Sequence, residues 1–123
     1  MRAIKFRAWD KDANKYVYIS ETVDGGFWVN NGISQAEMPT NRDSFEQYTG
    51  LKDKNGKEIY EGDIFQNDYD GGYDVVKWVE RHAGFMLCYM GDEDESESLS
   101  LYKMDELEIV GNIHENPELL EEV

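Results

Sequence analysis

Residues 74–90 read DVVKWV-ERHA-GFMLCYM, and this stretch decides the fold. Its two ends, residues 74–79 and 84–90, are rich in β-branched, aromatic and aliphatic residues, which is typical of strands. Residues 80–82 are polar and separate the two apolar runs. The stretch therefore predicts two neighbouring β-strands joined by a short turn.

Further strand candidates lie on both sides of this pair. Gly62 marks a turn before residues 63–65, and two more apolar runs cover residues 99–103 and 107–113. The acidic residues 91–98 separate the second strand of the pair from the next run, and this like-charged block predicts a mobile loop. Five strands at short spacing predict a small curled barrel of the SH3 type.

The N-terminal part of the chain also has a strand pattern. Residues 3–9 and 16–20 alternate between apolar and polar side chains, and the turn-forming residues 10–14 lie between them, which predicts a β-hairpin. Residues 27–29 predict a further short strand, and residues 30–44 a long loop.

One short helix is expected at the end of the chain. Asn116 is a suitable cap, Pro117 suits the first helical position, and residues 118–122 carry two leucines. The sequence thus predicts a mainly-β single domain over residues 1–123. Its parts are N-terminal strands and loop (1–49), a barrel-like sheet (50–115) and a C-terminal helical turn (116–123).

Aromatic residues are expected to form much of the core, because the chain has five Phe, eight Tyr and three Trp. Each buried aromatic ring hides about 150–250 Å², so a few rings decide the stability of a chain of this size. The residues predicted to be buried are Phe6, Trp9, Val76, Trp78, Phe85 and Leu87.

The charge of the chain is strongly acidic and uneven. The net charge is −15, from 27 acidic and 12 basic residues. Residues 91–123 carry 12 of the acidic residues and one basic residue, Lys103, a net charge of −11. Such a chain is repelled by phosphate backbones and anionic lipid, so direct binding of nucleic acid or membranes is disfavoured, whereas a basic protein partner is allowed. Solubility alone also accounts for the charge.

The cysteine content and the apolar runs bear on location. Cys88 is the one cysteine, so no internal disulfide is expected, which suits a reducing cytoplasm. Charged residues interrupt the N-terminal apolar residues, and no run of about 18 apolar residues occurs. We therefore expect no signal peptide, no membrane span and a cytoplasmic location.

No residue pattern predicts catalysis, a metal site or a cofactor. Residues 53–64 lack the glycine and glutamate that a calcium loop requires at its sixth and twelfth positions, so a tight turn at Asn55-Gly56 is favoured. Asp68, Asp70 and Asp74 fit a solvated hairpin loop better than a cation site. His82 and His114 are expected at the surface, and Cys88 as a buried, inert thiol. We therefore expect a protein without enzymatic activity, metal or cofactor.

Three segments resemble the YopX family of phage and prophage proteins. They are Ile4-Lys5-Phe6-Arg7-Ala8-Trp9-Asp10, the 18-residue run from Gln47 to Ile64 that contains Tyr48-Thr49-Gly50-Leu51-Lys52-Asp53 and Tyr60-Glu61-Gly62-Asp63, and Ile109-Val110-Gly111-Asn112-Ile113-His114-Glu115-Asn116-Pro117-Glu118-Leu119-Leu120. The resemblance implies a phage or prophage origin in a bacterial host, a mainly-β fold and a capacity for self-association. It supplies no catalytic residues. The middle run has a structural interpretation, in which its glycines provide sharp turns, beside its interpretation as a binding surface.

Two functions are compatible with these observations. The first is a protein-interaction module whose acidic surface engages a host or phage protein, for example one that itself binds nucleic acid. Its candidate surface consists of Asp92, Glu93, Asp94, Glu95, Glu97, Asp105 and Glu106. The second is a module that binds a small molecule or nucleotide in a groove near Tyr48, Tyr60 and Trp78. Pairing of sheet edges predicts a homo-oligomer in either case.

Overall fold

β-strands make up most of the described chain, so the predicted mainly-β fold is confirmed. The computed structural model describes residues 5–21, 27–30, 45–66, 71–99 and 106–121, with only the backbone described at 20, 21 and 27–30. Among these residues, no helix has the length and hydrophobicity to span a bilayer. The strands are β1 (Lys5–Asp10), β2 (Lys15–Glu21), β3 (Phe27–Asn30), β4 (Phe45–Lys52), β5 (Glu58–Tyr60), β6 (Asp63–Gln66), β7 (Tyr73–Val79), β8 (Gly84–Tyr89), β9 (Ser96–Ser98) and β10 (Ile109–Asn112).

The strands form two antiparallel sheets, and the chain divides into two compact units. One sheet has the order β3-β2-β1-β4-β5, and the other has the order β10-β6-β7-β8-β9. The first unit covers Met1–Tyr48 and the second covers Thr49–Val123. The second sheet consists of five short strands, which is compatible with the predicted SH3-like curled barrel.

The first unit contains the predicted N-terminal hairpin. β1 pairs with β2 from Lys5↔Ser20 to Asp10↔Lys15. The carboxylate of Asp10 accepts hydrogen bonds from the backbone N–H groups of Asp12 (3.0 Å) and Ala13 (3.1 Å), which closes the turn. β3 confirms the predicted strand at residues 27–29. Residues 31–44 of the predicted loop lie outside the described residues.

A buried ion pair stabilises this hairpin against β4. Arg7 is only 3% exposed, its Nε lies 2.8 Å from Oε1 of Glu46, and its guanidinium lies 4.1 Å from the ring centroid of Tyr16. Trp9 packs edge-on against the same Tyr16 ring. Because Arg7, Ala8 and Trp9 are all buried, β1 is covered on both faces at its middle. The charged residue Arg7 therefore lies on a buried face of β1, where Glu46 compensates its charge.

The second unit is organised around the β7–β8 pair. These strands pair from Asp74↔Tyr89 to Val79↔Gly84, as the sequence predicts. On one face, Val76 and Leu87 join a buried cluster with Ile59, Phe65 and Leu99. On the other face, Val79, Met86 and Cys88 form a second buried cluster. The pair is therefore buried on both faces.

The strands after β8 differ from the prediction. β9 lies at Ser96–Ser98, within the segment predicted to be a loop, and residues 100–103 of the predicted strand lie outside the described residues. β10 confirms the last predicted strand in shortened form, with a β-bulge between Ile109 and Gly111.

A short 3₁₀ helix at Pro117–Leu120 confirms the predicted C-terminal helical turn. The prediction that the side chain of Asn116 caps it is wrong. Asn116 Oδ1 instead accepts a hydrogen bond from the backbone N–H of Asn112 (3.2 Å), because the preceding turn brings that donor close. A Cβ atom at Gly111 would lie 2.6 Å from this same oxygen, so the turn requires glycine there.

The prediction that Trp78 is a core residue is also wrong, since its side chain is 44% exposed. Trp78 shares a face of β7 with buried Val76, but it lies two residues closer to the β7–β8 turn, beyond the end of the cluster. Its ring packs edge-on against partly buried Phe85, with centroids 5.1 Å apart. Trp9 is buried as predicted, and Phe6 and Phe85 are partly buried.

A matched pair of substitutions tests this division between core and rim. Phe65 is 1% exposed, so Phe65→Ala should lower the free energy of unfolding by about 3–5 kcal/mol. Trp78→Ala should lower it by about 0.5–1.5 kcal/mol, the contribution of one aromatic pair. Urea unfolding of both variants measures the difference. An equal loss in the two variants would contradict the exposure of Trp78.

Candidate functional site

A groove with a volume of about 530 Å³ opens in the second unit. It lies where the end of β4, the β7–β8 turn and the end of β9 come together. The lining residues are Thr49, Leu51, His82, Ala83, Gly84, Phe85, Met86, Ser98 and Leu99.

One side of the groove is the tight turn between β7 and β8. Glu80–His82 forms a 3₁₀ helix, and the N–H of Ala83 donates to the carbonyl of Glu80 at 3.0 Å. Ala83 has a left-handed backbone conformation, with φ 48° and ψ 44°. The turn leaves His82 and Ala83 exposed at the mouth of the groove, as expected for His82 from the sequence.

Apolar side chains and polar groups share the walls of the groove. Leu51 and Phe85 pack against the buried cluster that contains Leu99. The Thr49 hydroxyl donates to the carbonyl of Ile59 at 2.8 Å and accepts from the N–H of Leu51 at 3.2 Å, so the fold already uses its hydrogen-bonding capacity. Trp78 extends the apolar surface beyond the groove through its contact with Phe85. The groove therefore offers an apolar patch, formed by Leu51 and Phe85, beside polar groups.

The acidic segment beside the groove, residues 91–98, is here called the acidic turn. Backbone hydrogen bonds join Gly91 N–H to the carbonyl of Cys88 (3.1 Å), Asp92 N–H to that of Tyr89 (2.9 Å) and Tyr89 N–H to that of Glu95 (2.9 Å). The Ser96 hydroxyl donates to the carbonyl of Glu93. The segment for which the charge predicts a mobile loop thus contains hydrogen-bonded turns and strand β9.

Two basic side chains hold the acidic turn in place. Lys77 Nζ donates to the carbonyl of Gly91 at 2.8 Å. Arg81 Nη2 donates to the carbonyl of Glu93 at 2.9 Å and to Oδ1 of Asp94 at 2.6 Å. Both cations therefore bind the backbone of the turn, and one of them also pairs with a carboxylate.

The predicted acidic surface is brought together in part. The exposed residues of the acidic turn are Asp92, Glu93, Asp94, Glu95 and Glu97. Glu106 is also exposed and precedes β10, whereas Asp105 lies outside the described residues.

The groove and the acidic turn are adjacent. His82, which lines the groove, directly follows Arg81, whose guanidinium contacts Asp94. Ser98, which also lines the groove, directly follows Glu97. The acidic turn thus borders the groove at two points of the chain.

The residues for which the sequence predicts a groove do not line this one. Tyr48 is 7% exposed and has Lys5 Nζ 5.4 Å from its ring centroid, and Tyr60 is 3% exposed. Neither of them, nor Trp78, is among the residues that line the groove. The sequence gives no signal that Leu51, Phe85 and Leu99 belong to a site, because it does not show which strand ends lie close together.

The remaining candidates occupy structural positions. Cys88 is fully buried, as predicted, and burial raises the pKa of its thiol. The N–H of His114 donates to Oδ1 of Asn112 within a turn. Asp74 is buried on β7, and Asp68 and Asp70 lie outside the described residues. Across the described residues, no group of three or more His, Cys, Asp or Glu is arranged to hold a metal ion.

Asp53, in the middle family-like segment, joins the β4–β5 turn to β10. Its Oδ1 accepts from the N–H groups of Asn55 and Lys57 at 2.9 Å each, and its Oδ2 accepts from the N–H of Ile109 at 3.1 Å. Burial raises the pKa of this carboxyl, but the three N–H donors and the charge of Lys57 together lower it below the ordinary value of 3.8. This position supports the structural interpretation of the segment.

The Asp53 carboxylate should make stability depend on pH. Because its pKa is lowered in the folded protein, its contribution is complete well above pH 3.8 and is lost as the pH falls through the folded-state pKa. Asp53→Asn should cost about 2 kcal/mol at pH 7, and the difference from the wild type should shrink below pH 3.8. Urea unfolding at several pH values measures it, with exposed Asp12→Asn as control. A difference that is independent of pH would contradict the role of the charge.

Comparison with known proteins agrees with this architecture. The family model described as YopX protein matches residues 5–121. No curated protein matches the chain significantly. The crystal structure of protein EF1440 from Enterococcus faecalis is similar, with 24% identity, a TM-score of 0.56, and coverage of 98% of this chain and 100% of that one. The structure of protein yopX from Bacillus subtilis is similar at 21% identity and a TM-score of 0.55, with coverage of 100% and 99%. These two likenesses concern the fold, and the family match establishes that the chain belongs to the YopX protein family.

Proposed function

We propose that this protein is a non-catalytic protein-interaction module that presents its acidic turn to a basic partner protein. The observation that carries the proposal is the way the turn is held. Lys77 and Arg81 donate to its backbone carbonyls, so the backbone that carries five exposed carboxylates has a defined course. A charged segment whose backbone is already ordered selects a complementary partner better than a flexible one, because less conformational freedom is lost on binding.

The charge indicates the class of partner. Electrostatic complementarity favours a basic surface and speeds association with it. Among proteins, those that bind nucleic acid present basic surfaces of this kind, and a row of carboxylates can occupy the place of phosphates there. The proposed partner is therefore a nucleic-acid-binding protein of the host or phage, met in the bacterial cytoplasm by a phage- or prophage-encoded protein.

The chemistry of the groove supports a non-catalytic role. His82 is the one histidine of its lining, and this side chain is exposed. General acid–base catalysis requires a proton donor or acceptor held in a defined position by a second group. The groove is therefore better suited to binding than to proton transfer.

Neutralising the acidic turn tests the proposal. Glu93→Gln combined with Glu95→Gln removes two charges from the turn, whereas Glu118→Gln combined with Glu121→Gln removes two from exposed positions near the C-terminal 3₁₀ helix. Tagged protein is used to capture partners from nuclease-treated host lysate at about 50 and 300 mM salt, spanning the range in which screening becomes strong. We expect recovery of nucleic-acid-binding proteins at low salt, a fall at high salt, and several-fold weaker recovery with the first variant only.

Two results would contradict the proposal. One is that no nucleic-acid-binding protein is recovered at low salt. The other is that the control variant loses as much binding as the variant of the acidic turn, since the effect would then reflect net charge alone.

Self-association is a further part of the proposal. In the order β10-β6-β7-β8-β9, strands β9 and β10 lie at the edges of the described sheet. Val110 on β10 is 41% exposed. Because unpaired strand edges pair readily between chains, light scattering should give a mass above that of one chain, and Val110→Lys should lower it. A mass equal to that of one chain at high protein concentration would contradict self-association.

A further inference from the structure

Apolar surface remains exposed at and beside the groove next to the acidic turn. Trp78 is 44% exposed, and it packs on Phe85, which lines the groove. We propose that the groove is the docking site for one large apolar side chain, of the leucine or phenylalanine kind, in a partner segment whose neighbouring residues are basic. This inference rests on the proposed function and adds the anchor by which a basic partner is recognised.

The size and walls of the groove fit such an anchor. Its volume of about 530 Å³ lies within the range of about 300–1,000 Å³ for binding sites of small groups. Leu51 and Phe85 supply apolar contacts, and the hydroxyl of Thr49 is already hydrogen-bonded within the fold. An apolar side chain that enters the groove is therefore favoured against Leu51 and Phe85.

Charge complementarity identifies the residues that flank the anchor. Because Asp94 of the acidic turn contacts Arg81, the residue before His82 of the groove, residues that flank an anchored side chain on this side come close to its exposed carboxylates. Lysine or arginine is favoured there, and the exposed ring of Trp78 offers a face to the same cations. A nucleotide is disfavoured, because its phosphates would approach this negative field.

Synthetic peptides provide the probe. Four fluorescein-labelled nine-residue peptides carry lysine at four flanking positions, serine elsewhere, and leucine, phenylalanine, alanine or glutamate at the centre. Fluorescence anisotropy at about 50 mM salt measures their affinity for the full chain. Peptides with leucine or phenylalanine should bind at least about tenfold more tightly than the alanine peptide, as expected for burial of one large apolar side chain.

Variants separate the groove from the acidic turn. Gly84 lines the groove, and a Cβ atom there meets nothing closer than the carbonyl of His82 at 3.6 Å, so the backbone at this position accepts a side chain and Gly84→Leu should reduce the groove. This variant should abolish the preference for leucine and phenylalanine but keep the salt-dependent binding of the alanine peptide. Glu93→Gln combined with Glu95→Gln should weaken all peptides with lysine flanks by the same factor and leave the preference unchanged.

Trp78→Ala should weaken all four peptides several-fold, because its ring offers a face to the lysine residues that they share. Tyr18→Ala is its control, because Tyr18 is an exposed aromatic residue (36%) of the first unit and should have no effect. Urea unfolding of each variant verifies that the chain is folded under the binding conditions.

The outcomes distinguish this inference from the function on which it rests. Equal, salt-dependent binding of the leucine, phenylalanine and alanine peptides would overturn the anchor and leave the acidic turn as the interaction surface. Absence of both peptide binding and lysate capture would overturn both. A nucleotide or another small molecule could raise the melting temperature of the wild type but not of Gly84→Leu. This result would show that the groove binds a small ligand and would overturn the proposal of an apolar anchor. Self-association that Gly84→Leu abolishes would make a second copy of the chain the occupant, with the same consequence.

Discussion

The register of β7 against β8 is the constraint on which the second unit depends. It places Val76 opposite Leu87 on one face and Lys77 opposite Met86 on the other. The first pair lies in the buried cluster, and Lys77 reaches the acidic turn. A shift of one residue would exchange the two faces, placing a cation in the core and removing a hydrogen bond from the turn. Core packing and the shape of the charged surface are therefore determined by the same pairing.

This arrangement explains how a segment with five acidic residues forms a defined turn. Repulsion among carboxylates opposes close approach, but the backbone carbonyls of the same segment attract cations. Lys77 and Arg81 are the only lysine and arginine residues between Lys57 and Lys103 in the sequence, and both donate to those carbonyls. The exposed pair Arg81–Asp94 contributes little by itself, since solvent screens it. The geometry of the backbone contacts is the more important contribution.

The sequence predicts the strands well but does not predict the groove, for identifiable reasons. Alternation and turn residues predict the hairpins β1–β2 and β7–β8, because both signals are local. Alternation also indicates which face Trp78 occupies, but it does not indicate where along the strand the core ends, and Trp78 lies beyond that point. The groove combines β4, β8 and β9, which are distant in sequence, so no local pattern predicts it. The side chain of Asn116 is suited to cap the 3₁₀ helix, but its Oδ1 accepts a hydrogen bond from the backbone N–H of Asn112 instead.

The buried position of Cys88 on β8 makes its thiol a natural probe of local opening in this protein. The thiol is fully enclosed, and the carbonyl of the same residue accepts a hydrogen bond from the first residue of the acidic turn. A reagent that modifies thiols must wait for the strand and its covering residues to separate. Because the chain has one cysteine, the rate of its modification reports a single local opening event, without the need to introduce any label site.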